Sequence, residues 1–264
     1  KDLMTSDDDL LIRDLMETEI ISVNTHTDQE EVARLFTRYD LLALPVLDQD
    51  GLMVGIVTVD DAMDVMADEA TEDITKMAAM SPGEKDYFEM SVFEHARHRI
   101  VWLLILMFSA TITGTIITRY EDAFAAVPIL VSFIPMLMDT GGNCGSQSAT
   151  LIIRGIALDQ IRFKDIFRVI FKEFRVSLIV SVVLALANGL RILIMYKDAA
   201  LALVIALSLI GTVIISKLIG CVLPLLAKKV RLDPAIMASP LITTLVDTCS
   251  ILIYFNIATM LFQL

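Results

Sequence analysis

Asp247 stands in the middle of an apolar run, and the residues that share its surroundings are Ser239, Pro240, Thr243, Thr244 and Ser250. These recur at three- and four-residue spacing, so a helix drawn through them carries one stripe of oxygens with a carboxylate at its centre. An acidic side chain at membrane depth costs about 2.5–3.5 kcal/mol on the insertion scale and needs a reason to be there. Lys217 and Arg191 also fall in apolar runs, but near span ends, and their long stems are expected to snorkel to a membrane surface. Asp247 is short and has no such escape, so its stripe is read as the wall of a water-filled cation path. A second set of oxygens lies in MDTGGNCGSQSATLII, where Asp139, Asn143, Ser146, Gln147 and Ser148 accompany Pro135, Gly141, Gly142 and Gly145. The expectation is a span interrupted by Pro and Gly, whose free carbonyls and helix ends serve an ion. A cytosolic turn capped at Asn143 is the other reading of the same residues.

The elements that must hold these groups are legible in the charge pattern. The 264 residues are 56% hydrophobic and yet carry a net charge of −12, with a mean hydropathy of +0.69, a combination foreign to one soluble domain. Residues 1–94 hold 24 Asp and Glu against 6 Lys and Arg, whereas residues 95–264 hold 9 against 15. The acidic front repels nucleic acid and anionic surfaces, which excludes a nucleic-acid partner and favours cations. Three cysteines, Cys144, Cys221 and Cys249, all in or beside apolar segments, make neither a disulfide framework nor a zinc site. No span contains a histidine and neither GxSxG nor HExxH occurs, so an enzyme is not expected.

Ile100–Thr118 is free of charge over 19 residues, long enough at about 1.5 Å per residue to cross a hydrocarbon core of about 30 Å. Four further spans are expected at Phe124–Met138, Val176–Tyr196, Ala199–Ala227 and Pro234–Leu264. Most basic residues, from Arg97 and Arg99 through Arg154, Arg168 and Arg175 to Lys228 and Arg231, fall on one side of that arrangement. Only Arg119 and Lys197 face the other. The positive-inside rule then places the acidic front in the cytosol and the C-terminus outside a cell membrane. His95 and His98, one turn apart between front and first span, are read as interfacial residues.

From Ile20 to Met66 the text reads strand, helix, strand, strand, helix, with a hairpin turn at Asp50-Gly51. This pattern, with GIVTVDD at Gly55–Asp61, resembles a cystathionine-β-synthase (CBS) domain, and the resemblance implies ATP or another nucleotide as a ligand near Thr58 and Asp61. The runs MDTGGNCGSQSATLIIRG and DPAIMASPLITTLVDT resemble the second and fifth spans of the MgtE magnesium channels, from which this chain differs in carrying Ser239 where Asn often precedes the Pro. The resemblance implies a mixed fold: residues 1–16 as the end of a preceding CBS copy and 17–80 as a small α/β CBS module. Residues 81–98 would be a connecting (plug) helix and 99–264 an all-α membrane domain of five transmembrane helices. It also implies a homodimer in lipid, with hydrated magnesium held by Asp247 at the dimer axis. Ser239, Pro240, Thr243, Thr244, Ser250, Asn143 and Asp139 would line the pore. DEATEDI matches the family's regulatory connection, so Asp61, Asp64, Glu69, Glu72 and Asp73 become candidates for cytosolic magnesium sites that gate it. A carrier coupling magnesium, cobalt or manganese to sodium or protons is the alternative that the residues leave open.

Overall fold

The computed structural model describes residues 5–7, 9–16, 19–83, 87–237 and 239–263, with the side chains of Phe124 and Ser239 outside that description. It divides into two compact units, Lys1–Thr71 and Glu72–Leu264. The KDLM segment expected to end a preceding CBS copy lies outside the described residues.

The first unit is the expected α/β module. Helix α1 (Ile12–Leu15) is followed by β1 (Val23–Asn24), α2 (Gln29–Tyr39), β2 (Ala43–Leu47), β3 (Met53–Thr58) and the start of α3 (Val59–Met77). The sheet runs β1-β2-β3, parallel then antiparallel. Asp28 caps α2 by accepting the Glu30 N–H at 3.0 Å, which satisfies an otherwise orphaned donor. The β2–β3 turn is held by Asp48, whose carboxylate accepts from the Asp50 and Leu52 N–H groups at 2.9 Å each. Gly51 sits there at φ +77°, a conformation open to glycine because it lacks a Cβ. Strand β1 is shorter than the IISVN run suggests. Val23 pairs with Val46, so Ser22 would fall opposite Pro45, which has no N–H for the ladder. Val23, Ala33, Phe36, Leu44 and Ala62 form the core.

Residues 81–98 do not form the separate connecting helix expected. Helix α3 runs unbroken to Met77, none of the described residues between 78 and 91 is helical, and 92–98 is the start of the long helix α4 (Val92–Arg119). Helix α3 ends ahead of Pro82 in a left-handed turn at Ala79, φ 53°, where the Met80 N–H donates back to the Thr75 carbonyl at 3.0 Å, and a capping box at Ser91 and Glu94 starts α4. The connection is tied to α4 at His98, whose carbonyl accepts from Ser81 N–H at 2.9 Å while its Nδ1 meets the Ser81 carbonyl at 3.0 Å. His95 is likewise engaged with the Tyr87 carbonyl.

The second unit continues with α5 (Glu121–Ala126), a 3-10 turn at Pro128–Phe133, α6 (Ile134–Ala157), α7 (Ile166–Tyr196), α8 (Ala199–Lys229), a 3-10 turn at Pro234–Met237 and α9 (Ser239–Phe262). Among the described residues four helical segments are long and apolar enough to cross a membrane: Val92–Arg119, Phe163–Tyr196, Ala199–Lys229 and Pro234–Phe262. The second expected span is displaced. Val127 leaves the helical region ahead of Pro128, at φ −135° and ψ 76°, as the clash with the following proline ring requires, so Phe124–Met138 is cut and the long helix begins only at Ile134. Its 24 residues reach about 36 Å at 1.5 Å per residue, but they are less apolar than the other four. Helix α8 is the hub, packed on α6, α7 and α9. Leu130, Leu137, Ile205, Leu209, Tyr254 and Phe255 anchor the largest apolar cluster, where the Tyr254 hydroxyl donates to the Leu130 carbonyl at 2.8 Å.

At the head of this unit the last turn of α3 is tied down by charge. Lys76 Nζ donates to Asp233 at 2.6 Å and is paired with Glu72. Partial burial favours the neutral amine, but the two carboxylates outweigh it and raise the Lys76 pKa above its ordinary value. Met77, the next residue, packs against the cluster of Ala149, Ile153, Ile242 and Val246.

Candidate cation path

Helix α6 is continuous through Gly141, Gly142 and Gly145, so the expected interruption of a span, and equally the turn capped at Asn143, give way to an unbroken helix. Its glycines serve packing. A Cβ at Gly142 would stand 2.9 Å from Thr243, and one at Gly145 would stand 2.8 Å from Ile242 and 3.2 Å from the Ser216 carbonyl. The helix is therefore gripped between α8 and α9 at backbone distance, as small residues permit in membrane helices.

That grip decides which face of α6 is free. Gly141, Cys144, Gly145, Ser148 and Ile152 are buried, while Asp139, Asn143, Gln147, Thr150 and Arg154 are exposed. The polar members of this free face advance by four, four, three and four residues as one helical stripe, with the exposed Leu151 beside its Thr150 end. Asp139 and Asn143 thus share a face, as their assignment to a pore requires.

On α9, Asp247 is half-buried and lies near enough to Asp139 for the two charges to interact. Asp247 is eight residues from the helix start and fifteen from its end, about 12 and 22 Å at 1.5 Å per residue. Thr243 and Thr244, one turn away, both donate their hydroxyl protons to the Pro240 carbonyl, at 2.9 and 3.0 Å. Their oxygens are left with lone pairs to offer outward. Ser250 points elsewhere: it is 1% exposed, against the position a Cβ of Gly141 would take. The Ser239 side chain lies outside the described residues.

A second polar group was not legible as a unit in the sequence. Lys217 does not snorkel. It is 5% exposed, and its Nζ donates to the Ser148 hydroxyl at 3.3 Å, which donates to Glu173 at 2.7 Å. Packing of α8 against α6 and α7 closes the route to the surface, and Glu173 gives the buried cation its counter-charge through one hydroxyl. The signal for it was Glu173 itself, the one acid inside the basic segment FRVIFKEFR. Arg191, by contrast, is exposed with its guanidinium beside Met136 Sδ. Lys217→Met leaves the Glu173–Ser148 pair without its cation and is expected to destabilise the protein by about 1–3 kcal/mol, read as a lower unfolding temperature in detergent. Lys217→Met with Glu173→Gln recovers most of that loss.

In the first unit Asp61 is occupied, accepting the Thr58 hydroxyl at 2.7 Å. Asp61, but not Thr58, lines a cavity of about 230 Å³ together with Val23, Asn24, Thr25, Val57 and Val65 among others, small beside ligand pockets of roughly 300–1,000 Å³. Asp64 is exposed and Glu69 accepts from Gln29 at 3.0 Å. Glu72 pairs with Lys76, and Asp73 is half-buried on the same helix. Among the described residues no three acidic, His or Cys side chains converge as a metal cluster.

Comparison with known proteins bears on both units. Residues 134–257 match the MgtE family, described as divalent cation transporter, and residues 12–68 match the CBS domain. The chain is 42% identical over 259 residues to the magnesium transporter MgtE of Bacillus subtilis (strain 168), covering 98% of this chain and 57% of that protein. It is 39% identical to the protein of that name in Thermus thermophilus, covering 100% and 58%, and 36% identical to that of Enterococcus faecalis, covering 98% and 57%. The chain thus spans a little over half the length of these relatives. A crystal structure of the soluble part of a magnesium transporter matches at 52% identity over 26% of this chain and 27% of that one, with a TM-score of 0.26.

Proposed function

With residues 134–257 belonging to the MgtE family of divalent cation transporters and residues 12–68 to the CBS family, we propose that this protein conducts magnesium across a cell membrane under the control of its acidic front. The observation that carries the proposal is the exposed stripe Asp139, Asn143 and Gln147 on α6, beside Asp247 and the threonine oxygens of α9. A polar row open at membrane depth needs water. Magnesium parts reluctantly with its hydration shell and is held through few carboxylates. The hydrogens of its bound waters point outward, so the wall must accept, and carboxylates, an amide oxygen and two hydroxyl oxygens with their own protons already committed are acceptors. The ion therefore passes hydrated, with Asp247 as its principal site and Asp139, Asn143, Thr243, Thr244 and Pro240 around it.

One chain leaves that stripe open on one side. A homodimer with its two-fold axis along the stripe encloses the path and brings two copies of Asp247 to the axis. The acidic front lies in the cytosol and the C-terminus outside, in keeping with the basic residues gathered at one end of the helices. Two such fronts repel, and cytosolic magnesium bridging Asp61, Asp64, Glu69, Glu72 and Asp73 to acids of another copy or segment draws them together and closes the path. The anchored end of α3 at Lys76 is where that movement is delivered. ATP or another nucleotide at the small cavity beside Thr58 and Asp61 would bias the same module.

Uptake into liposomes carrying the protein, compared for magnesium, calcium, cobalt and manganese, tests the reading. Magnesium flux above that of the other ions is expected, with unitary currents in planar bilayers. Flux without unitary currents would indicate a coupled carrier, and no flux with any divalent ion would overturn the proposal.

A further inference from the structure

Helix α7 has 31 residues, about 46 Å at 1.5 Å per residue, against a hydrocarbon core of about 30 Å. The surplus falls at its start, because Val176–Tyr196 is the apolar part and residues 166–175 carry every charge of the helix but Arg191. The orientation of that first stretch is fixed from inside: Ile166, Val169 and Ile170 pack on the cluster of Ile152, Ile156, Cys221 and Leu225. What remains outward is two adjacent rows. Phe167, Phe171 and Phe174 form one, with Phe167 82% and Phe171 64% exposed. Arg168, Lys172 and Arg175, all exposed, form the other.

Among the described residues no carboxylate lies within ion-pair distance of these three cations, whereas nearby Arg162 is paired with Asp159. Arg175 instead sits over the Phe171 ring at 5.8 Å, and beside the helix start Lys229 sits over Phe163 at 4.6 Å. A row of exposed rings next to a row of unpaired cations at a membrane boundary matches a surface with acyl chains below and phosphates above. Resting on the reading of this helix as a membrane span, we propose that the Phe167–Arg175 face is a binding site for anionic phospholipid headgroups. The rings enter the acyl boundary, and Arg168, Lys172 and Arg175 hold the phosphate of a lipid such as phosphatidylglycerol.

The site is tested by titrating phosphatidylglycerol, phosphatidylcholine and glycerol phosphate separately into the full chain in detergent, with bound molecules counted by native mass spectrometry. The wild type is expected to retain phosphatidylglycerol in preference to both others. Each cation near a lipid surface is worth roughly a fivefold change in affinity, so R168Q/K172Q/R175Q should weaken phosphatidylglycerol on the order of a hundredfold. R168K/K172R/R175K, which keeps the charge, should restore it and shows that the face tolerates substitution. Unchanged phosphatidylglycerol affinity in the Gln variant overturns the proposal, as does an equal loss of phosphatidylcholine or equally tight glycerol phosphate. The membrane reading is checked apart from this, by flotation of the wild type with phosphatidylcholine vesicles: failure there removes the span, and success without lipid preference removes only the site.

Discussion

Asp247→Ala is expected to reduce magnesium uptake into liposomes to that of protein-free vesicles and to leave the protein at least as stable as the wild type. Both halves follow from the same placement. A divalent ion held through one water, about 4 Å from a unit charge, is attracted by on the order of 8 kcal/mol at an effective dielectric constant near 20. Losing even half of that is about three decades in occupancy, at 1.4 kcal/mol per decade. For stability the sign reverses. Asp247 is half-buried in a membrane helix, its charge is opposed by Asp139, and among the described residues no cation pairs with it. Removing it relieves a cost. A residue important only for folding would lose transport and thermal stability together, so measuring the unfolding midpoint beside the flux separates the two. Asp247→Glu, which keeps the carboxylate one methylene further out, should retain part of the flux. Wild-type uptake by the Ala variant would move the path away from α9.

Asp247 stands out in the sequence for the reason on which its proposed role rests: a short acid amid apolar residues is costly unless water or a cation meets it. The α/β module was legible through its alternation and its Asp-Gly turn, and the long spans through their hydropathy. The helix α6 was not, and the reason lies in its glycines. In water Gly costs a helix about 1 kcal/mol relative to Ala, so three of them beside Pro135 read as a break. Their packing on α8 and α9 outweighs that preference, and packing across distant segments leaves no mark in local periodicity. Read as a helix, the same run would have put Asp139, Asn143 and Gln147 on one face and carried the stripe on to Thr150 and Arg154. The Lys217–Ser148–Glu173 group was hidden in the same way, since its members lie on three helices. Ser250 marks the opposite error: its spacing suits the stripe, but the close approach of Gly141 turns it into the protein.

Gly220→Val is expected to prevent assembly of the membrane unit, and Gly220→Ala to lower its unfolding midpoint while weakening transport. Even the smallest side chain has nowhere to go, because a Cβ at Gly220 would stand 2.2 Å from the Gly145 carbonyl oxygen and 3.0 Å from its carbon. These are backbone atoms and cannot rotate aside. Helix α6 must then move toward α9, where Gly142 and Gly145 already meet Thr243 and Ile242 at the limit of contact. Overpacking of this kind costs about 1–3 kcal/mol in a well-packed interior, and the displacement alters the spacing of Asp139 from Asp247. Gly114→Ala is the control: it too lies within a long membrane helix, but a Cβ there meets nothing within 4 Å, so this variant should match the wild type in both readouts. Thermal unfolding in detergent and uptake into liposomes decide the matter. If Gly220→Ala behaves like Gly114→Ala, α6 and α8 are further apart than this packing requires. If it loses stability and flux together, the glycine seam sets the distance between the two carboxylates.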